Sequence, residues 1–228
     1  MRLAVEPHGV TVRAGSVALL GDLYLPPGAV GLVAFAHGAG SGRTSPRDRA
    51  VAQALASAGL ASLLFDLLTR EEALEDRHTA ELRFDVPLLA DRLLGAIEWT
   101  RRQEALARLP VGLFGASSGA AAALTVAGRA EIAAVVTRGG RPDLAGPALG
   151  TVRCPTLLVV GARDAAGIGL HRRAMHQMTT LASLYVVPDA GHLFEEPGAL
   201  REVIDAASEW YRLHLAATRR EEAAVELV

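Results

Sequence analysis

Gly115-Ala116-Ser117-Ser118-Gly119 follows the apolar run Val111-Gly112-Leu113-Phe114 and opens onto the small-residue stretch Ala120-Ala121-Ala122-Ala123-Leu124. A strand that runs into Gly-x-Ser-x-Gly and then into a helix is the context of a nucleophile elbow. The turn is tight enough to force strained backbone angles on the serine, and glycines two residues before and after it leave room for the neighbouring strand and helix. The serine hydroxyl then stands clear of the sheet, above the positive end of a helix. Taken alone, the pentapeptide also fits a close-packed strand–helix turn with an incidental serine, because an Ala/Gly-rich chain generates the pattern by chance. The rest of the chain decides between the two.

Around this turn the pattern is strand, helix, strand, helix. Short β-branched or leucine-rich runs predict strands over 10–13, 17–25, 31–36, 61–66, 111–114, 133–137, 156–160 and 184–187. Helical patterns fall at 46–58, 85–108, 118–127, 168–181 and 197–215. Ala14-Gly15-Ser16 joins the first two strands as a hairpin. From residue 31 the alternation predicts a mostly parallel sheet with helices on both faces. Leu157-Leu158-Val159-Val160 is apolar on both sides, as a covered strand requires. Residues 67–84 are heavily charged and 138–153 are rich in Gly and Pro, so the first reads as loop and the second as loop or a short helical turn. The tail, 218–228, is charged and then apolar, and reads as a frayed helix or, less readily, a partner-contacting arm.

With 228 residues, the chain fits one domain over 1–228, its core at about 15–215. Half the residues are apolar and the net charge is −2, so no basic excess exists to condense on nucleic acid or an anionic membrane. Met1–His8 lacks the apolar stretch of a secretory signal, and no uncharged apolar run approaches the roughly 20 residues a bilayer span needs. A cytoplasmic location is the expectation. Cys154 stands alone, which excludes an internal disulfide or a cysteine-based metal site and suggests a buried thiol.

Functional groups in parallel sheets gather at the carboxyl ends of strands. Those positions hold His37-Gly38-Ala39-Gly40, Asp66, the Ser117 turn, Arg138-Gly139-Gly140-Arg141, Gly161-Ala162-Arg163-Asp164, and Asp189-Ala190-Gly191-His192. A serine, an acid and a histidine thus occur at three exits in the order Ser, Asp, His. Serine needs a base to take its proton, histidine can take and return one near neutral pH, and a carboxylate fixes the imidazole tautomer. Ser117, Asp164 and His192 are the candidate catalytic residues. The backbone N–H groups of Ser118 and Ala39 are the candidate oxyanion donors.

These motifs resemble those of the α/β-hydrolase superfamily, within it the small, lid-less dienelactone-hydrolase-like group. His37-Gly38-Ala39-Gly40 is similar to the oxyanion turn, Gly115–Gly119 to the elbow, Gly161–Asp164 to the acid loop and Gly191-His192 to the histidine loop. The resemblance covers about residues 15–215. It implies an α/β fold with an eight-stranded, mostly parallel sheet whose second strand is reversed, no large cap domain, and hydrolysis of acyl bonds without a cofactor. Dienelactone hydrolases proper carry a cysteine nucleophile; the serine here points toward ester or lactone cleavage of small to medium acyl substrates.

Competing assignments are few. Asp189 and Asp66 are alternative acids. His37, at the oxyanion turn, suits holding that loop; His171, His176 and His214 fall on helices and read as solvated; His78 is a further rival to His192. No pair of histidines has a metal-ligand spacing joined by a carboxylate, so neither metal nor cofactor is expected. Arg138 and Arg141 either pair with Asp143 or the acidic 71–81 segment, or one of them receives a substrate carboxylate; with His37 they are the candidate substrate contacts. The expected partner is a small acyl substrate, without nucleic acid or membrane, a homodimer being left open. Acyl transfer or perhydrolysis on the same residues, and a non-catalytic binding protein of the same fold, are the alternatives.

Overall fold

The computed structural model describes residues 4–225; Met1–Leu3 and the last three residues of the tail, Glu226–Val228, lie outside the described residues. Eight strands form one sheet: β1 (His8–Ala14), β2 (Val17–Tyr24), β3 (Leu32–Ala36), β4 (Ala61–Phe65), β5 (Val111–Ala116), β6 (Ala134–Arg138), β7 (Thr156–Gly161) and β8 (Ala182–Val187). Their order is β1-β2-β4-β3-β5-β6-β7-β8. The hairpin partner β2 runs antiparallel to both β1 and β4, and every later pairing is parallel. This is the expected α/β-hydrolase sheet with its reversed second strand.

Apolar faces on both sides of the strands explain why helices cover both sides. β3, β4, β5 and β7 are buried along their whole length. One core layer joins Leu63, Leu113, Val135 and Leu158 to Leu89, Leu93 and Ile97 of α3 (Val86–Thr100), to α4 (Ser118–Ala127), and to Ala174 of α5 (Ala165–Gln177). The other joins Val33, Phe35, Phe114, Val136 and Val159 to Val51 and Leu55 of α1 (Pro46–Ser57) and to Val203 and Tyr211 of α6 (Ala199–Val225). Each fully buried side chain of this kind contributes about 1.5–3 kcal/mol. Tyr211 goes further: its ring stacks over Gly112, where a Cβ would come within 2.8 Å of the ring, and its hydroxyl donates to the Leu113 carbonyl. The helix is thereby fixed to the strand that carries the Ser117 turn.

Three segments differ from the sequence reading. Residues 67–84 are not loop but a helix, α2 (Arg70–Thr79), followed by a 3₁₀ turn at Leu82–Phe84. A capping box explains it: Thr69 Oγ1 accepts from the Glu72 N–H, and the Glu72 carboxylate accepts from the Thr69 N–H. α3 stops at Thr100 rather than 108, because the Arg102 and Gln103 N–H groups bond three residues back and wind the chain into turns. α5 begins three residues early, at Ala165, since Asp164 caps it through the Gly167 N–H. No described helix is long and apolar enough to cross a membrane.

Candidate active site

β5 delivers Ser117 into a conformation that few residues adopt, φ 51° and ψ −121°. The two glycines of the turn show why the pattern is obligatory. A Cβ on Gly115 would lie 2.7 Å from both the Ala120 Cα and the Gly119 carbonyl oxygen, and one on Gly119 would collide with the Ala36 carbonyl of β3. The strain is held from below by β6, whose Arg138 carbonyl accepts from the Ser117 N–H at 3.4 Å. Ser118 opens α4, so its N–H belongs to the unpaired, positive end of a ten-residue helix.

At the exit of β7 the Asp164 carboxylate serves two neighbours. Oδ1 accepts from the Gly167 N–H at 2.8 Å, and Oδ2 bonds His192 Nδ1 at 2.9 Å. Burial pushes the carboxyl up, but the bonds from His192 and Gly167 outweigh it and hold Asp164 below the usual carboxylate range. The anion stays charged at neutral pH and fixes which imidazole nitrogen carries the proton. Nε2 is left to act. The histidine loop itself is tied down by Glu196, which accepts from the Gly191 N–H at 3.0 Å.

Ser117 and His192 each border one residue of the Gly139-Gly140 dipeptide. A Cβ on Gly139 would stand 3.6 Å from the His192 Cε1, and one on Gly140 would strike the Ser117 backbone. Two consecutive glycines therefore let imidazole and elbow approach one another at the end of β6. Gly38 closes the third side, its Cβ position 2.8 Å from the Ser117 Cβ, which brings the His37–Gly40 turn against the serine.

His37 anchors that turn. Its Nε2 accepts from the Leu67 N–H at 3.0 Å, so the proton resides on Nδ1, beside the Gly38 carbonyl at 3.0 Å. Burial pushes the imidazole below its ordinary pKa, which keeps it neutral and suited to this role. Beyond the turn lies a cleft of about 1160 Å³ whose walls include Ala39, Ser118, Leu68, Leu74 and Arg83. The charged 67–84 segment, helical rather than extended, thus forms one side of it.

The remaining candidates are placed as follows. Asp66 and Asp189 bond neither His192 nor each other: Asp66 binds Arg43, and Asp189 meets Arg163 at 3.4 Å. Arg141 makes a two-pronged bond to Asp143, at 2.9 and 2.8 Å. Arg138 departs from both sequence readings. Its guanidinium turns inward to Asp48 of α1, at 3.1 Å, with 9 % and 3 % of the two side chains exposed. A buried cation must take the nearest buried anion, and that anion is 90 positions away in the chain, where no motif marks it. His171 is likewise not solvated: it is fully buried on α5, with Nδ1 2.8 Å from the Gly167 carbonyl. The recurrence of Gly167, His171 and Ala174 on one helix face marks that burial. No cluster of three potential metal ligands occurs among the described residues.

A family model for an alpha/beta hydrolase domain matches residues 29–209. The chain belongs to the α/β-hydrolase family. Among solved structures, this α/β-hydrolase resembles a dienelactone hydrolase from Anabaena variabilis, with 50 % identity and a TM-score of 0.90 over 92 % of this chain and 98 % of that one. It shares its fold with Est1E from Butyrivibrio proteoclasticus, solved with ferulic acid, at 17 % identity and a TM-score of 0.76, covering 91 % of this chain and 99 % of that one. A Mycobacterium tuberculosis protein, named provisionally as a phosphoribosyl transferase, is 51 % identical over 208 residues, which are 90 % of this chain and 46 % of that protein. The chain spans about half the length of the curated relatives it matches, so their name describes a longer chain. Proteins described as a dienelactone-hydrolase-like phosphotriesterase and as an esterase from Pyrococcus furiosus share its fold, at 19 % and 17 % identity with TM-scores of 0.76 and 0.70.

Proposed function

We propose that this hydrolase cleaves carboxylic ester or lactone bonds of small to medium acyl substrates through an acyl-enzyme on Ser117. The observation that carries the reading is the Asp164–His192 bond at 2.9 Å, supported by Gly139 lying against His192 and Gly140 against the Ser117 backbone. His192 Nε2 takes the Ser117 proton as Oγ bonds to the carbonyl carbon. The carbonyl oxygen gains the negative charge and accepts from the Ser118 and Ala39 N–H groups, each worth about 3 kcal/mol in the transition state. Collapse breaks the ester C–O bond, and His192 returns its proton to the departing alkoxide. Water, deprotonated by His192, then releases the acid and restores Ser117.

The side chain of His192 is 45 % exposed, which gives water direct access to the acyl-enzyme. The apolar walls at Leu68 and Leu74 suit the acyl portion of a substrate. Neither Arg138, committed to Asp48, nor Arg141, committed to Asp143, enters this scheme.

A fluorophosphonate probe and a panel of p-nitrophenyl esters test the reading. Wild type should be labelled and should turn over short esters; Ser117→Ala should lose both, and His192→Ala should lose at least a thousandfold in kcat. Folded wild-type protein that neither labels nor hydrolyses any ester would remove the proposal in favour of a binding role.

A further inference from the structure

Asp66 lies at the exit of β4 and does not meet His192. Its contacts give it another task. Its own N–H donates to the Leu20 carbonyl at 2.9 Å, which fixes the residue to the neighbouring antiparallel strand β2. Its carboxylate Oδ1 accepts from the Arg43 N–H at 2.8 Å, and Oδ2 lies 3.4 Å from Arg43 Nε. The Arg43 guanidinium continues to Asp22, contacting both oxygens at 2.9 Å, and Arg49 binds that same carboxylate at 2.9 Å.

The next residue, Leu67, donates its N–H to His37. Adjacent residues at the end of β4 therefore grip the glycine-rich turn at both ends, Leu67 through His37 and Asp66 through Arg43. Between these grips lie Gly38, Ala39, Gly40, Ser41 and Gly42. Within the turn one backbone bond holds the span, from the Ser41 N–H to the Gly38 carbonyl at 3.0 Å. A loop with three glycines and so few internal bonds owes its shape to its two ends.

We propose that Asp66 is a positioning residue for hydrolysis, clamping the far end of the 37–43 turn so that the Ala39 N–H meets the developing oxyanion. This rests on the hydrolase reading above. Asp66 contacts no reacting atom; it acts through Arg43 and the turn. Oxyanion donors must sit within a few tenths of an ångström of their target, and misplacement by about 1 Å costs about 100-fold.

Gly42 supplies an independent handle. A Cβ there would lie 2.7 Å from Asp66 Oδ1, at a backbone conformation that alanine tolerates, so Gly42→Ala would push the carboxylate off the Arg43 N–H without touching Asp66 itself. Asp66→Ala removes the acceptor, and Asp66→Asn keeps a carbonyl oxygen in its place.

The test measures kcat and KM on p-nitrophenyl acetate, affinity for a boronic acid that mimics the tetrahedral state, and amide hydrogen exchange across residues 38–43. Asp66→Ala and Gly42→Ala should lower kcat about 10- to 100-fold with KM within threefold, weaken the boronic acid in parallel, and speed exchange in the turn but not at 189–194. Asp66→Asn should recover to within about threefold of wild type. Should Asp66→Ala fold poorly, Gly42→Ala decides. A kcat within threefold of wild type in a variant with the carboxylate displaced, or unchanged exchange in the turn, overturns the proposal. Wild type without Ser117-dependent turnover overturns the hydrolase reading instead, and the exchange data still report whether the clamp holds the turn.

Discussion

Removing Asp48 while leaving Arg138 in place strands a guanidinium beneath the Ser117 turn. The two side chains are 9 % and 3 % exposed and 3.1 Å apart, so the cation would lose its partner in a site that water cannot reach. Burial already pulls the Arg138 pKa down, with Asp48 opposing it and Arg47 adding to it. Breaking one partner of such a pair costs about 3–5 kcal/mol, whereas replacing both by apolar groups of similar volume is often neutral or stabilising. A chain of this size loses about 2–4 °C of melting temperature per kcal/mol. Asp48→Ala should therefore melt about 6–20 °C below wild type, and Asp48→Leu with Arg138→Met should recover most of that. Thermal unfolding by circular dichroism reads the result, with ester kinetics on neutral and carboxylate-bearing substrates in parallel. Single and double variants that all melt within about 2 °C of wild type, with Arg138→Met raising KM on acidic esters alone, would refute the argument and return Arg138 to the substrate.

Other consequences can be checked with the same protein. Gly119→Ala drives a methyl group into the Ala36 carbonyl and should cost about 3 kcal/mol or more, seen as a lower urea midpoint; an unchanged midpoint would contradict the elbow packing. Burial lowers the His171 pKa, so below about pH 6.5 the unfolded chain binds a proton that the fold refuses. Stability should then rise with pH through the window just below 6.5 and fall on acidification, and His171→Asn should flatten that slope; parallel slopes would show that the residue does not titrate between the two states. The Cys154 thiol, pushed by burial up to about 11, should resist iodoacetamide at pH 8 until the protein unfolds, and rapid stoichiometric alkylation of the native form would contradict its burial.

Features written in short segments were legible in the sequence. The strands, the Ser117 turn and the three loops carrying Ser117, Asp164 and His192 follow from local patterns, whereas the reversed second strand followed only from the family resemblance. α2 was missed because Arg70–Thr79 carries charge on nearly every face and offers little apolar periodicity; Thr69 and Glu72, spaced as a capping box, held the available signal. Interactions across distant segments left no trace to read. Arg138 meets Asp48, and Asp66 meets Arg43, only because β4, β6 and α1 are brought together by the sheet. The full burial of His171 is half legible, since small residues at 167 and 174 mark a packed face while the histidine itself suggests the opposite.

One carboxylate at the end of β7 divides its oxygens, one starting a helix and the other holding an imidazole. Anyone redesigning this scaffold to relocate the acid to a neighbouring strand would inherit a vacant helix start, and would have to furnish a new Ser, Thr or Asn there. Asparagine at position 164 could still begin the helix yet would leave the ring's orientation without an anion. Helix start and imidazole orientation are thus welded at a single position, which narrows the substitutions that drift or design can explore there to nearly none.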